Sequence, residues 1–392
     1  MSDRIDVAKP WLGEEEAAAL AEVIASGWVA QGPRVARFEQ NFAELMEAQY
    51  AVATSSCTTA LHLALIVAGV GPGDDVVVPS FSFIATTNAV RHVGATPVFA
   101  DVDPTTGNVT GNTVRVALTR RTRVVIAVDQ GGMPLDLDDV RAVTDPLGIV
   151  VVEDAACGAG STYKGRPVAS RADIAAWSFH PRKLLTTGEG GMITTSNEQW
   201  AARARRLREH SMSVSATDRH KSVLPPAEEY TEVGFNFRMT DLQAAVGLVQ
   251  LDRLPIAVAR RREFAGRYRA LLADVAGIRL VEDPSWGTTN YQTLWIEISP
   301  PYPLGRQQLM ERLATADIST RRGIMAVHLQ PAYRNEAYAA VELPVTERLT
   351  ANTMVLPLYH DLKETDVDRI CSEIVAGSAA PAHTESREQI TC

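Results

Sequence analysis

Between residues 51 and 195 the chain repeats one pattern. A short, densely apolar run is followed by a longer stretch whose apolar positions recur every three to four residues. The runs 51–54, 75–79, 96–100, 123–128, 149–154 and 192–195 have the length and apolar density of strands buried on both faces. The stretches 58–68, 82–93, 112–118, 137–144 and 198–210 carry helical periodicity. Alternation of this kind predicts an α/β fold with a mostly parallel sheet between helices.

Outside this region the pattern changes. Residues 14–25 and 33–48 read as two N-terminal helices joined by a turn from Gly27 to Pro33. Residues 211–232 hold turn formers and little periodicity, which predicts a long loop. Thr240 is placed to cap a helix with Leu242, Ala245 and Leu248 on one face, running to about Ala273 with a kink or break at Pro255. The remainder mixes strands such as 293–298 with helices such as 305–316. The expected division is a large domain over 1–250, a smaller C-terminal α+β domain over 251–376, and a disordered tail over 377–392.

Composition narrows the function classes. The chain has 392 residues, a net charge of -9 and a pI of about 5.5, which argues against a nucleic-acid binder or a basic membrane-surface protein. The basic cluster at 203–208 alternates with Ala and Leu and reads as a solvated helix face. Residues 1–16 are polar and lack the apolar core of a signal peptide, and apolar runs such as 63–70 are too short to span a bilayer. Cys57, Cys157, Cys371 and Cys392 are far apart and form no zinc or disulfide pattern, so a cytoplasmic location is expected.

The chemistry gathers around one lysine. Lys183 follows Ser178-Phe179-His180-Pro181-Arg182, precedes Thr187-Gly188-Glu189-Gly190-Gly191, and stands about thirty residues after Asp154, the acid ending the run 149–154. An acid at the carboxyl end of a parallel strand faces the crevice where α/β folds bind ligands. Ser56-Cys57-Thr58-Thr59 lies between a strand and a helix, so its N–H groups can face an anion. This set suits pyridoxal 5'-phosphate (PLP), which needs a lysine amine for its Schiff base, a carboxylate for its ring nitrogen and donors for its phosphate.

Each feature also has an ordinary reading. Most lysines are solvated, strand-end aspartates usually serve turns or caps, a Ser-Cys-Thr-Thr turn is equally an N-cap, and 188–191 fits a hairpin turn. The combination carries the assignment. Burial among Phe179, Leu184 and Leu185, with Arg182 adjacent, is expected to lower the Lys183 pKa and supply a neutral amine for proton transfer. His62, His180, His328 and His360 match no metal-ligand spacing.

Further landmarks are Ser26-Gly27-Trp28-Val29-Ala30-Gln31-Gly32-Pro33, Thr58-Thr59-Ala60-Leu61-His62, Pro79-Ser80-Phe81-Ser82-Phe83, Glu153-Asp154-Ala155-Ala156 and Gly234-Phe235-Asn236-Phe237-Arg238-Met239-Thr240-Asp241. With these motifs the chain resembles the DegT/StrS-type sugar aminotransferases from about residue 5 to 374. The resemblance implies the aspartate-aminotransferase fold, PLP as cofactor, Lys183 as its lysine and Asp154 as the partner of its ring nitrogen. It implies Thr58, Thr59 and Ser178 as phosphate ligands and Phe83 as the aromatic stacked on the ring. It also implies that Asn236 reaches the phosphate of a neighbouring subunit, hence a homodimer with shared active sites. Cys57 and Cys157 depart from the family, which commonly has Gly at the first position and His or Gln at the second. Cys157 is then expected beside the cofactor ring. Arg321 and Arg322, with His328 nearby, lie in or next to a segment similar to a substrate-side stretch of one branch. They are candidates for binding donor carboxylates or a sugar diphosphate.

The function this implies is amino transfer from an amino acid, L-glutamate as the expected donor, to a keto group on a nucleotide-linked deoxysugar. A cyclitol or other carbocyclic ketone is the alternative acceptor. A non-catalytic protein of the same fold is the rival class, opposed by Lys183, Asp154, the phosphate turn and Asn236. The related sugar dehydratases lack the lysine that Lys183 supplies.

Overall fold

The computed structural model describes residues 4–214, 227–334 and 341–379. Seven strands form the central sheet in the order β1 (Tyr50–Thr54), β9 (Gly191–Thr195), β8 (Ile174–Ser178), β5 (Val150–Asp154), β4 (Thr122–Val128), β2 (Asp75–Pro79), β3 (Thr96–Ala100). β9 is antiparallel to both its neighbours, and the other pairings are parallel. The expected strands stand within a residue or two of their predicted bounds. β8 is an addition: its Ile-Ala-Ala-Trp-Ser run lacks the β-branched density that marks the others, yet it sits in the middle of the sheet.

Side chains alternate between two cores, as the two-residue period of a strand requires. Val77, Val125, Val151 and Ala175 point into one, with Phe38 and Phe42 of α2 (Pro33–Leu45). Val76, Val124, Val152 and Ile174 point into the other, with Leu61 and Leu65 of α3 (Cys57–Val67). Helix layers therefore cover both faces. They include α1 (Glu14–Ser26), α4 (Ile84–His92), α5 (Gly111–Ala117), α6 (Leu137–Thr144) and α7 (Glu198–Leu207). After Asp154 a short strand β6 (Thr162–Tyr163) lies between β7 (Arg166–Pro167) and β11 (Gly287–Thr288), antiparallel to both.

Thr240 caps α8 (Asp241–Leu272), accepting a hydrogen bond from the Gln243 N–H at 3.2 Å. The helix continues through Pro255, so no break falls there, and residue 250 lies inside it. It is long and apolar enough to cross a membrane by length and composition, but it packs against α1 and α2 in the body of the protein. Its first residue serves another helix. α2 begins with Gly32 and Pro33, which bring no capping side chain. The buried Asp241 carboxylate accepts instead from Gly32 N–H at 2.8 Å, Val35 N–H at 2.9 Å and Arg34 N–H at 3.0 Å. An anion at a helix N-terminus satisfies donors that would otherwise be orphaned.

The C-terminal lobe has a sheet in the order β10 (Ile278–Leu280), β12 (Trp295–Ile298), β14 (Thr353–Val355), β13 (Arg321–Arg322), with every pairing antiparallel. Helices α9 (Arg306–Thr315), α10 (Pro344–Asn352) and α11 (Glu364–Gly377) complete it. The N-terminal residues cross to this lobe: Ile5 N–H donates to Asp317 O at 2.9 Å and Ile5 O accepts from Ser319 N–H at 2.8 Å. Asp101, beyond β3, accepts from the Val345 and Thr346 N–H groups at the start of α10. Of the expected long loop 211–232, Met212 and Tyr230 pair as a bridge, and residues 215–226 lie outside the described residues. So do residues 380–392 of the expected tail.

Because the Asp241 carboxylate accepts from three N–H groups at the start of α2, Asp241→Ala should destabilise the fold by about 2–4 kcal/mol in urea unfolding. Asp241→Asn should recover part of that loss.

Candidate active site

The sheet registers bring the candidate residues to one edge. Thr54 and Ser178 both lie opposite Gly191, and Asp154 lies opposite Ala176, two residues from Ser178. The carboxyl ends of β1, β5 and β8 thus open on a common crevice. The turn leading into α3 presses onto Gly191, where an added Cβ would stand 2.4 Å from the Ser56 carbonyl. Only a glycine lets that turn close over the sheet end.

Asp154 is 3% exposed. Its carboxylate accepts from Thr86 Oγ1 at 2.8 Å and from Ala156 N–H at 3.2 Å. Burial raises its pKa, against the opposing pull of those two hydrogen bonds and of the Lys183 charge. Behind it stand two more buried acids. Glu153 points to the opposite face of β5 and meets Asp129, whose own N–H donates to Asp154 O at 3.2 Å. Asp129 Oδ1 accepts from Leu135 N–H at 3.0 Å and Glu153 Oε1 from Ala169 N–H at 2.9 Å. Asp129 Oδ2 and Glu153 Oε2 have no other partner among the described residues. Burial first, and then the Glu153 charge, hold Asp129 well above the carboxylate range, while burial pushes Glu153 to about 7. Two carboxyls in one dry site share a proton at neutral pH.

Lys183 Nζ donates to Cys157 Sγ at 3.0 Å. The expected lowering of its pKa does not hold in this structure. Burial is the largest influence and lowers it, but Cys157, Cys57 and Asp154 together raise the amine above its ordinary value. Both loops that make this contact are held by one segment. Gln292 Oε1 accepts from Leu184 N–H at 2.9 Å, and its Nε2 donates to Arg182 O at 2.7 Å. Asn290 Nδ2 donates to Cys157 O at 2.7 Å and Ala159 O at 2.8 Å. Arg261 of α8 anchors the segment in turn, donating to Tyr291 O at 2.8 Å and Gln292 O at 2.9 Å. Thr86, Asn290, Gln292 and Arg261 were not legible as site residues. They act through hydrogen bonds between segments far apart in the chain, and no local motif marks them.

The turn expected to hold the phosphate stands at the N-terminus of α3, with one difference from expectation. Thr59 Oγ1 closes the α3 cap by donating to Ser56 O at 2.8 Å and accepting from Ser56 N–H at 3.1 Å. Thr58 makes no side-chain hydrogen bond among the described residues, so its hydroxyl is the freer donor. Phe83 precedes the first residue of α4 and is 63% exposed, one turn before the Thr86 that holds Asp154. Asn236 is exposed between Phe235 and Phe237, whose rings stack on each other at 4.8 Å and pack against His62. Phe237 O accepts from Ser55 N–H at 2.8 Å, which ties this segment to the phosphate turn.

The substrate-side candidates are not gathered with the others. His328 is buried, its Nδ1 2.6 Å from Ser80 Oγ and its Nε2 3.4 Å from Glu347 Oε1, and it ties the two lobes together. Arg321 and Arg322 are exposed on β13, where Arg321 borders a recess with Arg4, Ser319 and Thr320 that contains none of the residues around Lys183. Among the described residues no group of three His, Cys, Asp or Glu side chains is placed to hold a metal ion.

A lysine, a buried carboxyl, a helix N-terminus with a free hydroxyl and an exposed aromatic in one crevice fit PLP in donor set and charge. Fold and site define a PLP-dependent aminotransferase. The chain belongs to the DegT/DnrJ/EryC1/StrS aminotransferase family, whose model matches residues 10–375. It is similar to the aminotransferase TlmJ from Streptoalloteichus hindustanus, with 38% identity, a TM-score of 0.87, and coverage of 95% of this chain and 98% of that one. It is similar to S. venezuelae DesV, solved with a ketimine intermediate, at 30% identity and a TM-score of 0.88, covering 97% and 100%. DesI, solved with its TDP-sugar product, matches at 31% identity and a TM-score of 0.87, covering 97% and 94%.

The Asp129–Glu153 pair sets a pH dependence of stability. Folding raises the Glu153 pKa from 4.5 to about 7, so its favourable contribution is complete below the unfolded value and is lost as pH rises through about 7. Glu153→Gln should flatten this slope, leaving the variant on the order of 3 kcal/mol less sensitive between pH 4.5 and 8 in denaturant titrations.

Proposed function

We propose that this aminotransferase transfers an amino group from an amino acid, L-glutamate first among them, to a keto group on a nucleotide-linked deoxysugar. The observation that carries the reading is the convergence of Lys183, Asp154 and the open end of α3 on one crevice, in a chain similar over nearly its whole length to DesI, solved with a TDP-sugar product.

In this reading Lys183 holds the cofactor and, once released by the donor, carries the proton to and from the reacting carbon. PLP supplies an electron sink for the charge left at that carbon. Asp154, kept dry and aligned by Thr86 and Ala156, holds the proton on the ring nitrogen. Phe83 covers one ring face, and Cys157 lies beside Lys183. Thr58 and Ser178 donate to the phosphate, and Thr59 keeps the turn closed.

Asn236 is assigned to the phosphate of a second copy. Its two aromatic neighbours turn inward onto His62, which leaves its amide facing outward. An uncharged amide with two donors suits an anion that already has other partners. The working unit in this reading is a homodimer.

The test of the acceptor is a panel of keto-sugars on different nucleotides together with cyclitol ketones, read as amine formation by mass spectrometry with L-glutamate as donor. Amination of a nucleotide-linked sugar is the expected result. Amination of cyclitol ketones alone would move the protein to the carbocyclic alternative.

Sharing of the site is tested by mixing Lys183→Ala and Asn236→Ala chains. Mixed dimers should recover activity above either homodimer, because one of their two sites then has both residues intact. If Asn236 acts within its own chain, mixing restores nothing.

A further inference from the structure

We propose that Cys157 and Lys183 form a peroxide-sensitive pair, in which oxidation of the Cys157 sulfur ends in a covalent Nζ–Sγ bond that withdraws Lys183 from cofactor binding. The two atoms stand 3.0 Å apart. Cys157 is partly exposed at the crevice, so a small oxidant reaches it. The loops that carry them are clamped by Asn290 and Gln292 of one segment, so bond formation needs only side-chain movement.

The chemistry balances with hydrogen peroxide as oxidant. The Cys157 sulfur attacks one peroxide oxygen, the O–O bond breaks, and the departing hydroxide leaves as water with the thiol proton. The sulfur is then a sulfenic acid, oxidised by two electrons. The Lys183 nitrogen attacks that sulfur, the S–O bond breaks, and the hydroxyl leaves as water with an N–H proton.

The second step needs a neutral amine, and the first step prepares it. Burial is the largest influence on Lys183 and lowers its pKa, while Cys157 is first among the groups that raise it. Once the sulfur is oxidised, that raising influence of the thiol group is removed and burial favours the neutral amine. Of the other groups facing the amine, Asp154 keeps its own partners, and burial pushes the Cys57 thiol well up, which keeps it protonated and a poor competitor for the sulfenic acid.

Protection by the cofactor rests on the assignment of Lys183 in the proposed function; the bond itself does not. Full-length protein, cofactor-loaded and cofactor-stripped, is treated with hydrogen peroxide, digested without reductant and analysed by mass spectrometry. The stripped protein should yield the Cys157 and Lys183 peptides joined, two hydrogens lighter than their sum. It should lose cofactor uptake, and dithiothreitol should reverse both changes. The loaded protein should show no joined peptide. Cofactor uptake by a Cys157→Ala variant should be the same before and after peroxide. A Cys157 sulfinic acid, or a Cys57–Cys157 disulfide, with the Lys183 peptide unlinked would overturn the proposal. Borohydride reduction of the loaded protein separates the two ideas. A cofactor adduct on Lys183 without peroxide cross-linking rejects the pair alone. An adduct on another lysine, with the cross-link formed, rejects the functional assignment alone.

Discussion

A carboxylate cut off from water must receive its partners from the protein, and Asp154 is such a group. It closes a strand that lies between two others, so it is buried by position. Thr86 and the Ala156 N–H hold its two oxygens. Thr86 is available because α4 starts at Ile84, after Phe83, and packs over the end of the sheet. The same placement leaves Phe83 exposed just before the helix. One buried carboxylate thus ties the first turn of this helix to the end of β5.

The second requirement is a lysine loop that does not drift. Residues 179–190 have little regular structure, and their position comes from outside. Gln292 binds the backbone on both sides of Lys183, Asn290 binds the Cys157 loop, and Arg261 binds the segment between them from α8. Burial brings the Arg261 pKa down to about 10, still a cation at neutral pH, and its backbone carbonyl partners satisfy its donors. Preorganisation of this kind lets a flexible side chain meet its target without paying for loop ordering at each turnover.

The electrostatics of the crevice are layered. Lys183, Asp154 and two thiols share one small volume, while directly behind them the buried Asp129 and Glu153 share a proton. Gly158 allows this packing, since a Cβ there would come within 2.8 Å of Asp129 Oδ2. The proton shared by that pair removes one of the negative charges behind Asp154.

Much of this was already determined by the sequence. Strand runs such as 75–79 and 96–100 match the observed elements, because buried parallel strands carry an apolar density that needs no partner to be read. Lys183 and Asp154 stand out in the sequence for a similar reason: each ends or follows a recognisable element, and their order along the chain suits one cofactor. Tertiary structure decided what depends on distant partners. β8 has weak strand character and becomes a central strand because β5 and β9 flank it. α8 runs through Pro255 because α1, α2 and α11 pack along it. His328 proved to be a tie between lobes, and the Lys183 amine stands high because Cys157 and Cys57, separated from each other by a hundred positions, both face it. Local patterns report which residues are buried and in what rhythm. Which charge meets which is settled only when the chain folds back on itself, because electrostatic energy depends on distance in space and on burial rather than on separation along the chain.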